Sequence, residues 1–218
     1  MKILAFDFSS PQRSVAVRGH RGDESAFEVI DSAPGNTMKP LGMVASALKS
    51  AGLEREQIEC IALGLGPGSY TGIRAAVALA QGWQLGREVK LLGLSSAAAV
   101  AAQAHAEGLR GPVNVVIDAQ RGEFYLAGYE LTDAGVGEIA PLRIVAREEV
   151  SARSEATLIG PEVTKWFPAG RLQFPRAAML ARMAATRTDF VPGEKIEPIY
   201  LRETTFVKAP PPRVLPGL

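Results

Sequence analysis

Two aspartates and a run of glycines are the residues whose types and spacing could do chemistry. Ile3-Leu4-Ala5-Phe6-Asp7 and Val113-Asn114-Val115-Val116-Ile117-Asp118 are apolar runs, each ending on a carboxylate followed by a polar turn. An acid at a strand end can hold a metal or orient water at a phosphate, or it can cap the next turn by accepting a backbone N–H. Between them lies Gly64-Leu65-Gly66-Pro67-Gly68-Ser69-Tyr70-Thr71-Gly72, where an apolar run gives way to helix formers. A strand, a glycine-dense turn and a helix start leave backbone N–H groups facing outward, the geometry that cradles a phosphate. The same glycines equally suit a tight contact between two backbone segments. Spacing leaves both readings open.

Several chemistries are excluded by pattern. No Gly-Lys-Ser/Thr follows the glycines, so they are not a Walker A loop, and the third glycine of G-x-G-x-x-G would fall on Ser69. Ser69 is no nucleophile elbow, because Thr71 stands where glycine is required; with Thr71 it is a candidate helix N-cap instead. Cys60, the lone cysteine, sits in the run Ile58-Glu59-Cys60-Ile61 and reads as a small buried hydrophobe. His20 and His105 are the only histidines and are far apart, with no H-E-x-x-H pairing, so a zinc site and peptidase chemistry are not expected. Arg121, Arg143, Arg147, Arg153 and Arg171 read as solvated surface, since no aromatic residues interleave with them. For Asp7 and Asp118 the turn-capping reading is favoured, with nucleotide handling as the minority role.

Periodicity supplies the elements that must hold these residues. Strands are expected at 3–7, 14–18 and 26–30, with hairpin material at 19–23 between the last two. A break at 33–36 precedes a helix through Met38, Leu41, Val44, Ala45 and Leu48, ended by Gly52. The strand around 61–63, the glycine turn and a helix over 71–86 follow, then a strand at 90–93 and an alanine-rich helix at 96–106 capped by Ser95. A second series runs through strands at 112–118, 123–130, 138–146 and 156–160 and a helix at 177–184. Residues 207–218, with Pro210, Pro211, Pro212 and Pro216, read as an extended tail. Each series opens β-turn-β around an aspartate, an internal echo that predicts a duplicated α/β fold whose second copy is reduced. The expected lobes are 1–106 and 107–206, with 207–218 as the tail.

At 218 residues and 47% hydrophobic content the chain can bury a substantial core. A formal net charge of +1, from 24 basic and 23 acidic residues, gives no global field for nucleic acid. An early acid at Asp7 disfavours a secretory leader and no run is long enough to span a membrane, so a cytoplasmic protein is expected.

In order along the chain, Ile3-Leu4-Ala5-Phe6-Asp7-Phe8-Ser9-Ser10, residues 64–74, Gly93-Leu94-Ser95-Ser96, residues 116–125 and Pro198-Ile199-Tyr200-Leu201-Arg202 resemble the TsaB (YeaZ) family. These are bacterial tRNA threonylcarbamoyladenosine biosynthesis proteins. Gly66-Pro67-Gly68-Ser69-Tyr70-Thr71-Gly72-Ile73-Arg74 is the most specific part, and the likeness covers nearly the whole chain. The resemblance implies an actin/hexokinase/Hsp70-like (ASKHA) fold with a duplicated β-β-β-α-β-α core and a reduced second lobe. It implies no catalytic centre in this chain. The partners it implies are the larger paralogue TsaD and a small ATPase, TsaE; ATP and a metal are expected on those subunits, and tRNA is met only through the complex. A homodimer is implied when the chain is alone. Two departures stand out: Phe8 occupies a place where a small hydroxyl residue is common, and Asn36-Thr37-Met38-Lys39 replaces the usual His-Ser segment.

The helix over 71–86 is small and apolar over most of its circumference, so it must be covered on more than one side. With the resemblance, Gly68, Ser69, Tyr70, Thr71, Gly72, Arg74, Ala75, Ala76 and Leu79 are the expected interface residues, Tyr70 and Arg74 as rim anchors. The competing expectation is a phosphotransferase or ATPase of the same fold, using Asp7 and the turn from Gly64 to Gly72.

Overall fold

The computed structural model describes residues 1–19, 26–32, 39–153 and 155–202. The hairpin loop with His20, the break at 33–36, Met38 and the proline-rich 207–218 segment lie outside the described residues.

Ten strands form two five-stranded sheets among the described residues. In the first, β1 (Ile3–Asp7), β2 (Arg13–Arg18), β3 (Ala26–Asp31), β4 (Cys60–Gly64) and β5 (Lys90–Leu94) lie in the order β3-β2-β1-β4-β5. Strands β1, β2 and β3 run antiparallel, whereas β4 and β5 join parallel to β1. In the second, β6 (Gly111–Asp118), β7 (Glu123–Thr132), β8 (Gly135–Ala146), β9 (Thr157–Gly160) and β10 (Arg171–Leu172) repeat that order and those directions strand for strand. This is the expected duplicated, two-lobed α/β fold. Reduction of the second copy falls on its helices. Where the first lobe has α1 (Pro40–Ala51) before β4 and α2 (Tyr70–Gly86) after it, the second has the five-residue α4 (Arg147–Ser151) and a 3₁₀ turn at Val163–Lys165. Strand β10, two residues long, is too short for alternation to reveal.

Helices α1 and α2 cover one face of the first sheet. Met43, Val44, Leu48, Ala76 and Ala80 bury against Leu4, Phe6, Val15, Ile61 and Leu63. The alanine-rich α3 (Ser96–Ala106) lies between the sheets, with Ala99 facing Ile3, Ala5 and Ala62 on one side. On its other side Ala97, Val100, Ala101 and Ala104 meet Val113, Val115, Ile117 and Ala127. Burial on both sides, expected for the helix after the glycine turn, is thus realised in α3. Alanines make this possible, because short side chains let two sheets approach one helix.

The chain then returns to the first lobe. Helix α5 (Ala177–Ala184) packs on β1, β2 and β4, burying Ala177, Leu180 and Ala181 against Ile3, Ala5 and Leu92. Its N-cap residue, Arg176, makes no side-chain cap. Its first N–H groups are taken by residues far away in sequence: Ser14 Oγ accepts Ala177 N–H at 2.8 Å and Glu28 Oε1 accepts Ala178 N–H at 3.2 Å. Arg176 Nε also donates to Glu28 at 2.9 Å, and a carboxylate at a helix N-terminus complements the macrodipole. Ser14 is fully buried, so Ser14→Ala strands a buried N–H. A loss of about 1–3 kcal/mol is expected from the urea midpoint, with amide exchange accelerating most in α5. Unchanged α5 protection would contradict this account of how the helix is held.

Candidate functional site

The glycine turn lies against the β1–β2 turn, backbone to backbone. Ser69 N–H donates to Ser9 O at 2.7 Å. A Cβ on Gly72 would stand 1.9 Å from Phe8 O, and one on Gly68 2.1 Å from Ser9 O, so neither position admits a side chain. Several N–H groups of the segment are spent inside the protein. Leu65 N–H donates to Leu94 O at 2.8 Å, Gly66 N–H to Ser96 Oγ at 3.1 Å, and Gly72 N–H to Ser69 Oγ at 3.3 Å, which makes Ser69 the N-cap of α2. Of the two readings the glycines left open, the geometry is that of the tight contact.

Asp7 and Asp118 occupy different environments. Asp7 has no exposed surface. Its Oδ1 accepts from Ser9 N–H at 2.8 Å and Ser9 Oγ at 2.6 Å, and its Oδ2 from Ser96 Oγ at 2.7 Å. Burial pushes its carboxyl above the usual carboxylate range, opposed by the bonds from Ser9 and Ser96. Asp118 instead lines a cleft of about 510 Å³ between the lobes, together with Ser9, Ser10, Arg13, Tyr70 and Glu162. There it caps the β6–β7 turn, Oδ1 accepting Gln120 N–H at 2.7 Å, while Gln120 and Arg121 take left-handed backbone angles. Asp7 is not among the residues lining the cleft, so the fold does not bring the two carboxylates together at one surface.

Other side chains are equally occupied. No group of three or more potential metal ligands exists among the described residues. Cys60 is buried, and burial pushes its thiol up to about 12. His105 Nε2 lies 2.7 Å from Thr132 O. Arg143 and Arg153 pair with Glu149, Arg171 with Glu107, and Arg147 donates to Trp166 O at 2.9 Å.

The helix leaving the turn has a different character. Thr71, Ala75, Ala78, Gly82 and Leu85 are exposed at alternating spacings of four and three, one stripe along α2. Leu85 is 90% exposed and Leu41, on α1, 58%. Between the helices runs a groove of about 460 Å³ lined by Leu41, Ala78, Leu79, Gly82 and Trp83, with Arg55, Glu56 and Arg87 along its rim. Small residues in such a stripe permit close approach of another helix. Among the expected interface residues, Ser69, Tyr70, Thr71, Arg74 and Ala75 are exposed, and Gly68 and Leu79 partly so. Gly72 and Ala76 are corrected by the structure: both are buried, and Ala76 belongs to the core under α2. Leu41 and Leu85 escape a reading based on small residues; the four-three spacing is the signal that would have found Leu85. Tyr200 packs its ring 6.0 Å from Tyr70, whose hydroxyl accepts from Arg74, and nothing local in the sequence announces that contact.

Two substitutions test this geometry. Gly72→Ala should cost about 1–3 kcal/mol or more, as overpacking against a backbone carbonyl, whereas Gly82→Ala, which meets nothing within 4 Å, should gain about 0.5–1 kcal/mol. Equal effects on the denaturation midpoint would contradict the contact. For Asp7 the ordinary value is 3.8 and the folded value is higher. As pH rises past about 4 the unfolded chain loses this proton first, so the group subtracts stability until the folded carboxyl also ionises. Wild type should therefore lose stability relative to Asp7→Asn as pH rises from about 4 towards neutral, and a pH-independent difference would contradict a carboxyl raised by burial.

Known proteins share this architecture. The family model described as TsaD, tRNA N6-adenosine threonylcarbamoyltransferase, matches residues 38–199. The chain is 29% identical to the Escherichia coli tRNA threonylcarbamoyladenosine biosynthesis protein TsaB, with 97% of this chain and 99% of that protein covered. The Haemophilus influenzae protein of the same name is 26% identical over 96% of this chain and 98% of its own length. Among solved structures, YeaZ from Pseudomonas aeruginosa superposes with a TM-score of 0.76 at 28% identity, covering 92% of this chain and 99% of that one. A family match over most of the chain, together with these full-length likenesses, shows that it belongs to the TsaD family, in its TsaB/YeaZ group.

Proposed function

We propose that this chain is a non-catalytic scaffold subunit in the biosynthesis of threonylcarbamoyladenosine on tRNA. It docks a TsaD-type catalytic paralogue through the exposed faces of α1 and α2. The carrying observation is the stripe Thr71, Ala75, Ala78, Gly82 and Leu85, with Leu41 across the groove from Ala78 and Gly82: small and apolar side chains left open to solvent along one helix. A helix of the partner fits this stripe closely, and the charged rim of Arg55, Glu56 and Arg87 gives the polar border usual at such contacts. When the partner is absent, a second copy of the chain takes the same face. TsaE-type ATPase and tRNA join through the assembled complex, and ATP and metal belong to the partner subunits.

The buried state of Asp7 supports assigning the chemistry elsewhere. A carboxylate with no exposed surface and three internal donors is not placed to hold magnesium or direct water. The same-fold phosphotransferase or ATPase reading draws no support from it.

Ala78→Arg puts a long cation on the exposed stripe without touching the core, and surface changes of this kind typically move stability by about 0.5 kcal/mol or less. The expected result, read from mass in solution, is a mixed complex with a TsaD-type partner for wild type and separate chains for the variant. A complex that survives Ala78→Arg would move the interface elsewhere. Magnesium-dependent ATP turnover by the lone chain, lost in Asp7→Asn, would replace the scaffold reading with the enzymatic one.

A further inference from the structure

The segment following α5 is bound to three parts of the molecule in succession. Val191 N–H donates to Leu91 O at 3.0 Å, sealing the edge of β5. Gly193 is held from α2: its N–H donates to Gln84 Oε1 at 2.7 Å, and its carbonyl accepts from Gln81 Nε2 at 2.8 Å. Ile196 enters the core under α2. Ile199 N–H then donates to Leu65 O at 2.9 Å, on the glycine turn, and Tyr200 lays its ring beside Tyr70. Arg202 leaves the first lobe altogether. Its guanidinium donates to Ala119 O at 2.9 Å and to Glu123 Oε2 at 2.7 Å, both on the β6–β7 turn of the second lobe. Pro198-Ile199-Tyr200-Leu201-Arg202, singled out by its sequence alone, is therefore the crossing between the lobes.

The turn that receives Arg202 is one that benefits from a clamp. Gln120 and Arg121 hold left-handed angles at φ 65° and 59°, which cost energy in residues other than glycine. Asp118 holds the turn from the cleft side through Gln120 N–H, and Arg202 holds it from the other through Ala119 O. Ala119 and Gln120 themselves line the interlobe cleft, so the position of this turn sets the width of its mouth. The Arg202–Glu123 pair is half-exposed, with side chains at 35% and 42%, and an ion pair in that setting is weak enough to open reversibly. At the other end of the crossing, Tyr200 and Pro198 form with Arg74, Val77, Ala78 and Gln81 a hollow of about 390 Å³ beside the exposed stripe of α2.

We propose that residues 191–202 form an interlobe latch, closed by Arg202 on the β6–β7 turn, that couples the spacing of the lobes to the docking face of α2 through Tyr200 and Tyr70. The coupling half of this inference rests on the docking function proposed above; the latch itself does not. A partner seated against Tyr200 favours one latch state, and by linkage the latch state changes the affinity for the partner by the same factor.

Amide exchange on the lone chain tests the latch. Arg202→Ala should speed exchange at residues 119–123 by about three- to tenfold, with the β6 and β7 interiors unaffected. Glu123→Arg, which breaks the ion pair and repels Arg202, should do the same, and Arg202→Lys, which keeps a cationic donor for Ala119 O and Glu123, should keep exchange slow, which a merely misfolded variant would not. Equal exchange in wild type and Arg202→Ala overturns the latch. Titration of wild type and Arg202→Ala with a TsaD-type partner tests the coupling: a severalfold shift in affinity supports it, and equal affinities with a loosened turn overturn it. If wild type binds no partner, the docking function and the coupling fall together, while the exchange result still decides the latch.

Discussion

The contact between two backbones, the glycine turn and the β1–β2 turn, is the constraint on which the rest of the first lobe depends. Carbonyls of Phe8 and Ser9 approach so closely that Gly68 and Gly72 can carry no Cβ. Contact at this range desolvates the N–H groups between the turns, and each must find an internal acceptor because a buried unpaired donor is costly. Ser9 O, Ser69 Oγ and Ser96 Oγ meet that need. Asp7 lies directly behind, bonded to Ser9 and Ser96, so one small polar cluster ties β1, the glycine turn and the start of α3 together. The arrangement resembles an anion cradle in its parts, but the donors of Leu65, Gly66, Ser69 and Gly72 point at protein.

Filling the cradle with protein shifts the interest outward along α2. Ser69 caps that helix from within the contact, which fixes where the exposed stripe begins and how it faces. Two helices of similar composition then meet different fates. Alanines of α3 are buried on two sides of the helix, while those of α2 are buried only on the side that faces the first lobe's core, leaving Ala75 and Ala78 open. Composition is the same in kind; position between layers decides.

That difference marks how far the sequence can be read. Strands and helices were legible wherever the apolar period was sustained, so β1, α3 and α5 fall at their expected places, and the aspartate-ended strands disclosed the duplication. Interactions between distant segments were not legible. Nothing near Arg176 indicates that α5 takes its cap from Ser14 and Glu28, and nothing near Arg202 indicates that it reaches Ala119 and Glu123. At the candidate site, a helix that reads as apolar all round cannot say which arc faces the core, and so Ala76 and Gly72 were grouped with residues that turned out to be exposed. Single-position burial is a property of the assembled layers, not of the local pattern.

The borrowed cap of α5 has a bearing on how the chain is made. Ser14 and Ala177 are 163 residues apart, so the first lobe is assembled from both ends of the described chain with the second lobe inserted between them. During synthesis the first sheet has all its strands once β5 has emerged, yet the face carrying Ile3, Ala5 and Leu92, which α3 covers in part, waits for α5 to complete its cover. At ordinary elongation rates that interval is on the order of ten seconds. The nascent protein thus travels with a partly uncovered apolar surface while an entire second lobe is being translated, so the first lobe reaches its final packing only after the second has been made.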